Sequence, residues 1–275
     1  MIEVSVSIGR KEMMIDKLLG MIFPGELHCL CCGSILGSRR RYPICDDCIG
    51  KFGWVTESTC RICGKPLAKV NEKRGICYDC SESERTFDKG YTCALYGLYE
   101  RALIMDLKYR DKSYIARALG LIMADRVLAE DEGGAGPAWD FVTWVPVSKK
   151  RLDQRGYDQA ELLARFFAEA LSEGRGRSGL DAPALKGLLE RAKDTAPMKD
   201  LGIAERRENV KNAFKMKRNA VVKEKSVLVI DDVFTTGATL EACARALKEA
   251  GAAGVDVLTF ASGGDHRGRS EDREE

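Results

Sequence analysis

The chain has 275 residues, 45% hydrophobic and 31% charged, a globular composition that excludes wholesale disorder and allows a sizeable core. With 44 Lys and Arg against 42 Asp and Glu the formal net charge is +2, so no global basic excess advertises nucleic acid. The 11 cysteines are the oddity, because a disulfide scaffold is normally a short secreted chain and this one is neither short nor headed by an export signal.

At the N-terminus Glu3, Arg10, Lys11 and Glu12 interrupt any apolar leader, and residues 11–22 read as a short docking helix. No apolar run approaches the ~18 residues needed to cross a bilayer, so the expected compartment is a reducing cytoplasm. Nine of the 11 cysteines fall between Cys29 and Cys80. Residues 82–92 read as a polar connector, giving an N-terminal domain over 1–90, a second over 91–264 and a polar tail over 265–275.

Beyond the connector, residues 100–110 and 113–129 have helical spacing, with Ile115, Leu119, Ile122 and Met123 on one face. Residues 130–137 read as a loop, 141–147 as an apolar strand, 157–172 as a helix and 174–179 as a loop. The run 227–230 reads as a buried parallel strand, followed by a helix over 238–250 closed by Gly251 and a strand over 255–261. Strand, helix, strand in that order is a βαβ unit, and the C-terminal part is therefore α/β.

The cysteines form four Cys-x-x-Cys pairs: Cys29/Cys32, Cys45/Cys48, Cys60/Cys63 and Cys77/Cys80. Gly33 follows the first pair and Gly64 the third, so one module occurs twice, with spacers of 11 and 12 residues. Two pairs supply four thiolates, enough to close a tetrahedral four-cysteine zinc site, and eight ligands imply two structural zinc ions. Each repeat holding its own ion is the simplest arrangement; the spacing also admits interleaved pairing. Redox dithiols of this type usually occur singly near a βαβ unit, whereas these lie upstream of one. His28 and Cys31 are surplus to the ligand count, and Cys93 and Cys243 read as small buried apolar residues. The ribbons either replace the core that a small module lacks or contact nucleic acid, for which Arg39, Arg40, Arg41 and Tyr42 are suggestive. Residues 1–93 carry 14 basic and 12 acidic residues, which is no basic field.

The segment 227–247 carries the most chemistry. A buried strand ends in Asp231 and Asp232, and the turn Thr235, Thr236, Gly237, Ala238, Thr239 opens a helix. Amides at a helix N-terminus bind phosphate, and the threonine hydroxyls add donors. Adjacent carboxylates at a strand end accept bonds from vicinal hydroxyls such as those of a ribose, beyond the strand ends where such sheets bind ligands. The turn lacks the lysine of a P-loop, which disfavours nucleoside triphosphate hydrolysis.

This segment resembles the PRPP-binding motif of type I phosphoribosyltransferases, a hydrophobic strand, two acids and T-T-G-x-T. From about residue 19 to 262 the chain resembles the ComF family of competence-associated proteins, which join a cysteine-rich zinc ribbon to a phosphoribosyltransferase domain. RLDQRGYDQAELLAR (151–165) is similar to the family's R-x-x-x-R-G-F-N-Q-A segment. The stretch ending RENVKNAF (207–214) is similar to R-x-x-N-V-x-x-A-F, with Arg206 and Asn209 at the fixed positions. The resemblance implies an α/β fold, a type I phosphoribosyltransferase-like parallel sheet flanked by helices and preceded by a small double zinc-ribbon domain. It implies that Asp231 and Asp232 hold the ribose hydroxyls and residues 235–239 the 5′-phosphate. Ser148, Lys149, Lys150 and Arg151 would face the diphosphate, Arg206 and Asn209 would lie in the hood, and Mg²⁺ would accompany PRPP. Asp158 stands where the family usually has Asn, and Met198 where a Gln usually follows Thr195 by three.

Residues 186–225 hold 12 basic and 6 acidic residues, a local net of +6. That segment reads as a solvated face, a hood over diphosphate or a track for single-stranded DNA. Two functions follow: a phosphoribosyltransferase, for which the residues offer no evident general base, or a non-catalytic nucleotide or single-stranded-DNA binder working with a protein of the competence machinery.

Overall fold

A computed structural model describes residues 28–37, 40–56, 58–130, 138–176, 182–192 and 212–265. The docking helix over 11–22, Arg206, Asn209, Thr195, Met198 and most of the polar tail lie outside the described residues. The chain divides into two compact units, Met1–Lys51 and Phe52–Glu275.

The smaller unit folds around its cysteines. Gly33 adopts φ +75°, the left-handed turn that only glycine takes without strain, and its amide closes back on the Cys29 carbonyl at 2.8 Å. One short helix, α1 (Asp46–Ile49), carries Cys48. The Arg40 guanidinium holds the exposed Asp46 carboxylate, which lies below its ordinary pKa for that reason. Leu36 and Ile44 are the described aliphatic side chains buried in this unit.

The larger unit begins with the second cysteine repeat, which contains α2 (Lys69–Glu72) and α3 (Tyr78–Ser81). The polar connector is shorter than the sequence suggests, since β1 (Lys89–Leu95) starts within it and buries residues 90–94. Then follow α4 (Leu98–Tyr109), α5 (Ile115–Ala129), β2 (Phe141–Trp144), α6 (Lys149–Arg155) and α7 (Gln159–Gly176). Three short strands come next, β3 (Ala184–Leu185), β4 (Leu189–Arg191) and β5 (Phe214–Met216). The chain closes with β6 (Ser226–Phe234), α8 (Ala238–Glu249) and β7 (Gly254–Ser262).

Five strands form a parallel sheet in the order β1-β7-β6-β2-β3, while β4 and β5 make a separate antiparallel pair. The nine-residue strands β6 and β7 pair side by side at its centre. Strand β2 is shorter than the apolar run 141–147, although Val145 still donates to the Ile230 carbonyl at 3.0 Å. Pro146 has no amide with which to continue the ladder.

Both faces of the sheet are covered, as a parallel sheet requires. Helices α5 and α7 pack on each other and on the sheet, burying Leu119, Met123, Leu163 and Phe167. On the other side Val227, Val229, Val255 and Val257 share one core with Leu240, Cys243 and Leu247 of α8. Strand alternation sends Leu228 and Ile230 to the opposite face. The four cysteines of the second repeat belong to the α8-side core. There the backbones touch: a Cβ on Gly64 would lie 2.3 Å from the Gly90 carbonyl oxygen, and one on Gly90 would lie 2.5 Å from that of Cys63. Among the described residues, no helix is long and apolar enough to cross a membrane.

Candidate functional site

The eight paired cysteines converge as two groups, Cys29, Cys32, Cys45, Cys48 and Cys60, Cys63, Cys77, Cys80, with the ligand atoms of each within 4.8 Å of one another. Each repeat therefore forms its own site, and interleaving does not occur. Four sulfurs about 2.3 Å from a tetrahedral zinc lie about 3.8 Å apart. Cys32 and Cys45 are separated by 3.7 Å and Cys63 and Cys77 by 3.6 Å, so both donor sets fit zinc. The two sites differ in exposure. All four cysteines of the second are buried, whereas Cys32 is exposed and Cys45 half-buried in the first. His28 and Cys31 stand outside the sets, with His28 Nδ1 donating to the Gly33 carbonyl at 3.1 Å. Cys93 and Cys243 are buried in the apolar interior; burial pushes the Cys93 thiol up to about 12.

The second constellation lies at the C-terminal end of β6. The strand runs on through Asp231 and Asp232 to Phe234, and then the chain turns at Thr235 and Thr236. Gly237 takes φ +75° as the N-cap of α8, and a Cβ there would lie 2.4 Å from the Phe234 ring. Glycine is thus required twice over, for the left-handed backbone and for the aromatic ring beneath it. The Ala238 amide donates to Thr236 Oγ1 at 3.4 Å. The turn Thr235–Thr239 and the acid pair come together at one end of the sheet, as the sequence pattern requires.

Asp231 keeps part of its surface open but is packed round by protein. Burial first, and then the Asp232 carboxylate, push its carboxyl up to about 8, against the pull of Lys108. Asp231 Oδ1 accepts the Asp232 amide at 2.9 Å. Asp232 is 4% exposed and pairs with Lys108 Nζ at 2.7 Å through Oδ2. Burial opposes the Lys108 charge, but Asp232 and then Asp231 outweigh it and raise the ammonium's pKa. One lysine from the last turn of α4 thus neutralises one of two adjacent buried carboxylates. The other keeps a proton at neutral pH, because burial and then the neighbouring like charge disfavour its ionised form.

Residues 18–98 match the family profile described as a double zinc ribbon domain, and residues 181–274 match the phosphoribosyl transferase domain. Competence protein F of Haemophilus influenzae is 28% identical over 206 residues, which is 74% of this chain and 83% of that protein. Competence protein ComFC of Bacillus subtilis is 26% identical over 226 residues, 79% of this chain and 83% of that one. The chain is similar to these competence proteins over about three quarters of its length. DNA utilization protein YhgH of Escherichia coli K12 is also similar, at 28% identity over 214 residues, 78% of this chain and 88% of that protein.

In this chain the segment 148–151 leads into and begins a helix. Ser148 caps α6, its hydroxyl accepting the Arg151 amide at 3.4 Å, and Lys149 and Lys150 lie exposed in the first turn. Gly156 ends α6 in the left-handed region. Asp158, the departure from the family's Asn, caps α7: Oδ1 accepts the amides of Ala160 (2.9 Å) and Glu161 (3.3 Å), and Oδ2 accepts that of Val147 (2.9 Å). Burial nevertheless pushes its carboxyl up to about 6. An Asn could serve the α7 cap, but its amide nitrogen could not accept from Val147. Asp158 therefore also ties the segment before α6 to the start of α7.

Lys108 is the site residue that sequence reasoning missed. Its only signal is a basic cluster, Lys108, Arg110 and Lys112, at the end of a helix 124 residues from Asp232. Its neighbourhood is held by the Tyr157 hydroxyl, which donates to the Leu107 carbonyl. The Arg155 guanidinium lies 4.8 Å from the Tyr109 ring and bonds Gln159 at 2.7 Å. The junction of α6 and α7 is thereby braced against the end of α4, beside the acid pair.

Proposed function

We propose that this chain binds PRPP, or a closely related ribose phosphate, at the end of β6. The observation that carries the reading is the juxtaposition of Asp231 and Asp232 with the turn Thr235–Thr239 at the opening of a 12-residue helix. The turn amides, the threonine hydroxyls and the helix dipole suit a 5′-phosphate. The carboxylates suit the ribose hydroxyls. Lys149, Lys150 and Arg151 are the candidates to meet the diphosphate, joined by Arg206 and Asn209 from the hood. Mg²⁺ would serve as a counterion on the diphosphate and ribose oxygens, a hard cation matched to oxygen donors.

In a transfer reaction the C1–O bond to diphosphate breaks as an acceptor attacks C1. The protein's part is to hold the sugar phosphate and stabilise the leaving charge. The relatives' names, competence and DNA utilization, favour a role in handling incoming DNA, with single-stranded DNA or a competence-machinery protein as partner. Incubation with PRPP, Mg²⁺ and a panel of bases and amines tests the enzymatic reading. Diphosphate release that Asp231→Asn with Asp232→Asn abolishes supports it, whereas PRPP binding without release points to a non-catalytic nucleotide site.

A further inference from the structure

Lys65 is among the largest fully buried side chains of the described residues, at 0% exposure. A lysine is almost never buried without a partner. It follows Cys63 and Gly64 in the second cysteine knuckle, its carbonyl accepts the Cys60 amide at 2.7 Å, and its ammonium pairs with Asp79 at 2.6 Å, next to Cys80 in sequence. The same ammonium lies 5.2 Å from the centre of the Phe234 ring. That ring is the floor against which Gly237 packs. Arg85 approaches the Phe234 ring at 5.9 Å, and Phe87 meets it edge-on at 6.2 Å. A second tie runs parallel to the first, because Glu241 in the first turn of α8 accepts the Thr86 amide at 3.0 Å.

We propose that Lys65 is a positioning residue for the turn Thr235–Thr239, through which the second cysteine repeat holds the Phe234 ring beneath Gly237. A cation over an aromatic face favours one ring position, and desolvation strengthens that preference. The ring in turn limits where the Gly237 backbone, and with it the amides of the turn, can settle. A module that resembles an independent metal-stabilised appendage thus acts as a wall of the ribose-phosphate site. The ligand part of this inference rests on the proposed phosphate site; the mechanical part does not.

The test uses the full chain with Lys65→Met, which keeps an unbranched side chain one atom shorter and removes its charge. The zinc content is expected to stay at two per chain. Hydrogen exchange of the amides at 235–239 is expected to accelerate relative to those of β7, and the Kd for ribose 5-phosphate to rise roughly tenfold in the folded protein. Lys89→Met, at the far end of β1, is expected to match the wild type in both. A merely structural lysine would lower the unfolding temperature and leave loop exchange and folded-state affinity unchanged; that result overturns the proposal. Should Lys65→Met not fold, Phe234→Leu removes the ring while leaving the ion pairs of the repeat in place, and wild-type exchange at 235–239 in that variant overturns the proposal equally. If the wild type binds no ribose 5-phosphate, the site reading fails, and the exchange data still decide the positioning role.

Discussion

Asp231 makes the affinity of the site depend on pH in a direction that can be worked out. Its carboxyl, raised to about 8 by burial and by Asp232, is largely protonated at neutral pH. Accepting a ribose hydroxyl favours the ionised form, so binding releases a proton and strengthens as pH rises. With a pKa of about 8 the ionised fraction grows from about 3% at pH 6.5 to about 24% at pH 7.5, roughly an eightfold gain in affinity. The ligand phosphate, with a second pKa near 6, contributes only about 1.3-fold over the same interval. Calorimetric titration with ribose 5-phosphate in two buffers of different ionisation enthalpy reports both the affinity and the proton released. Asp231→Asn is expected to bind weakly and to keep only the small phosphate dependence. The unliganded protein should show the opposite trend in stability. A buried acid with a raised pKa favours the folded state at low pH, and that contribution is lost as pH rises from about 4 towards 8. A flat affinity from pH 6.5 to 8.5, with Asp231→Asn behaving like the wild type, would refute the assignment of Asp231 to the ligand.

Two further outcomes are expected. Lys108→Met leaves two adjacent carboxylates without their shared cation, and loss of one partner of a mostly buried pair costs about 3–5 kcal/mol. Urea unfolding at pH 7.5 should record that loss, and the addition of Asp232→Asn should restore part of it. A chelator should remove zinc in two phases, the fast one from the repeat with exposed Cys32 and half-buried Cys45, the slow one from the fully buried repeat. Metal release followed by a colorimetric dye checks this, and Cys63→Ser should abolish the slow phase with the larger fall in unfolding temperature.

The parts of this protein that depend on local pattern were legible in its sequence. The duplicated Cys-x-x-Cys-Gly module names both four-cysteine groups, since ligand spacing is a local property of the knuckle. The strand, two acids and turn before α8 likewise come together without long-range information. The missing parts depend on contacts distant in sequence. Lys108 reaches Asp232 only because β1 and α4 return the chain to the top of the sheet. Strand β1 hides in a polar stretch: Lys89 and Gly90 look like connector, yet Gly90 is where the backbone of the knuckle touches the strand. The two repeats have nearly the same spacing but unequal burial, and the fully buried second repeat shares a core with α8. Asp158 looks like a departure in a reactive segment, and the structure makes it the cap of α7.

Whether the turn Thr235–Thr239 and the pair Asp231 and Asp232 together hold a ribose phosphate is open to direct observation. Crystals soaked with PRPP and Mg²⁺ test it most directly. Phosphate density is expected against the amides of 235–239, with ribose hydroxyls within hydrogen-bond distance of Asp231 and Asp232. Density for the ligand elsewhere, with this turn and acid pair unchanged, would contradict it.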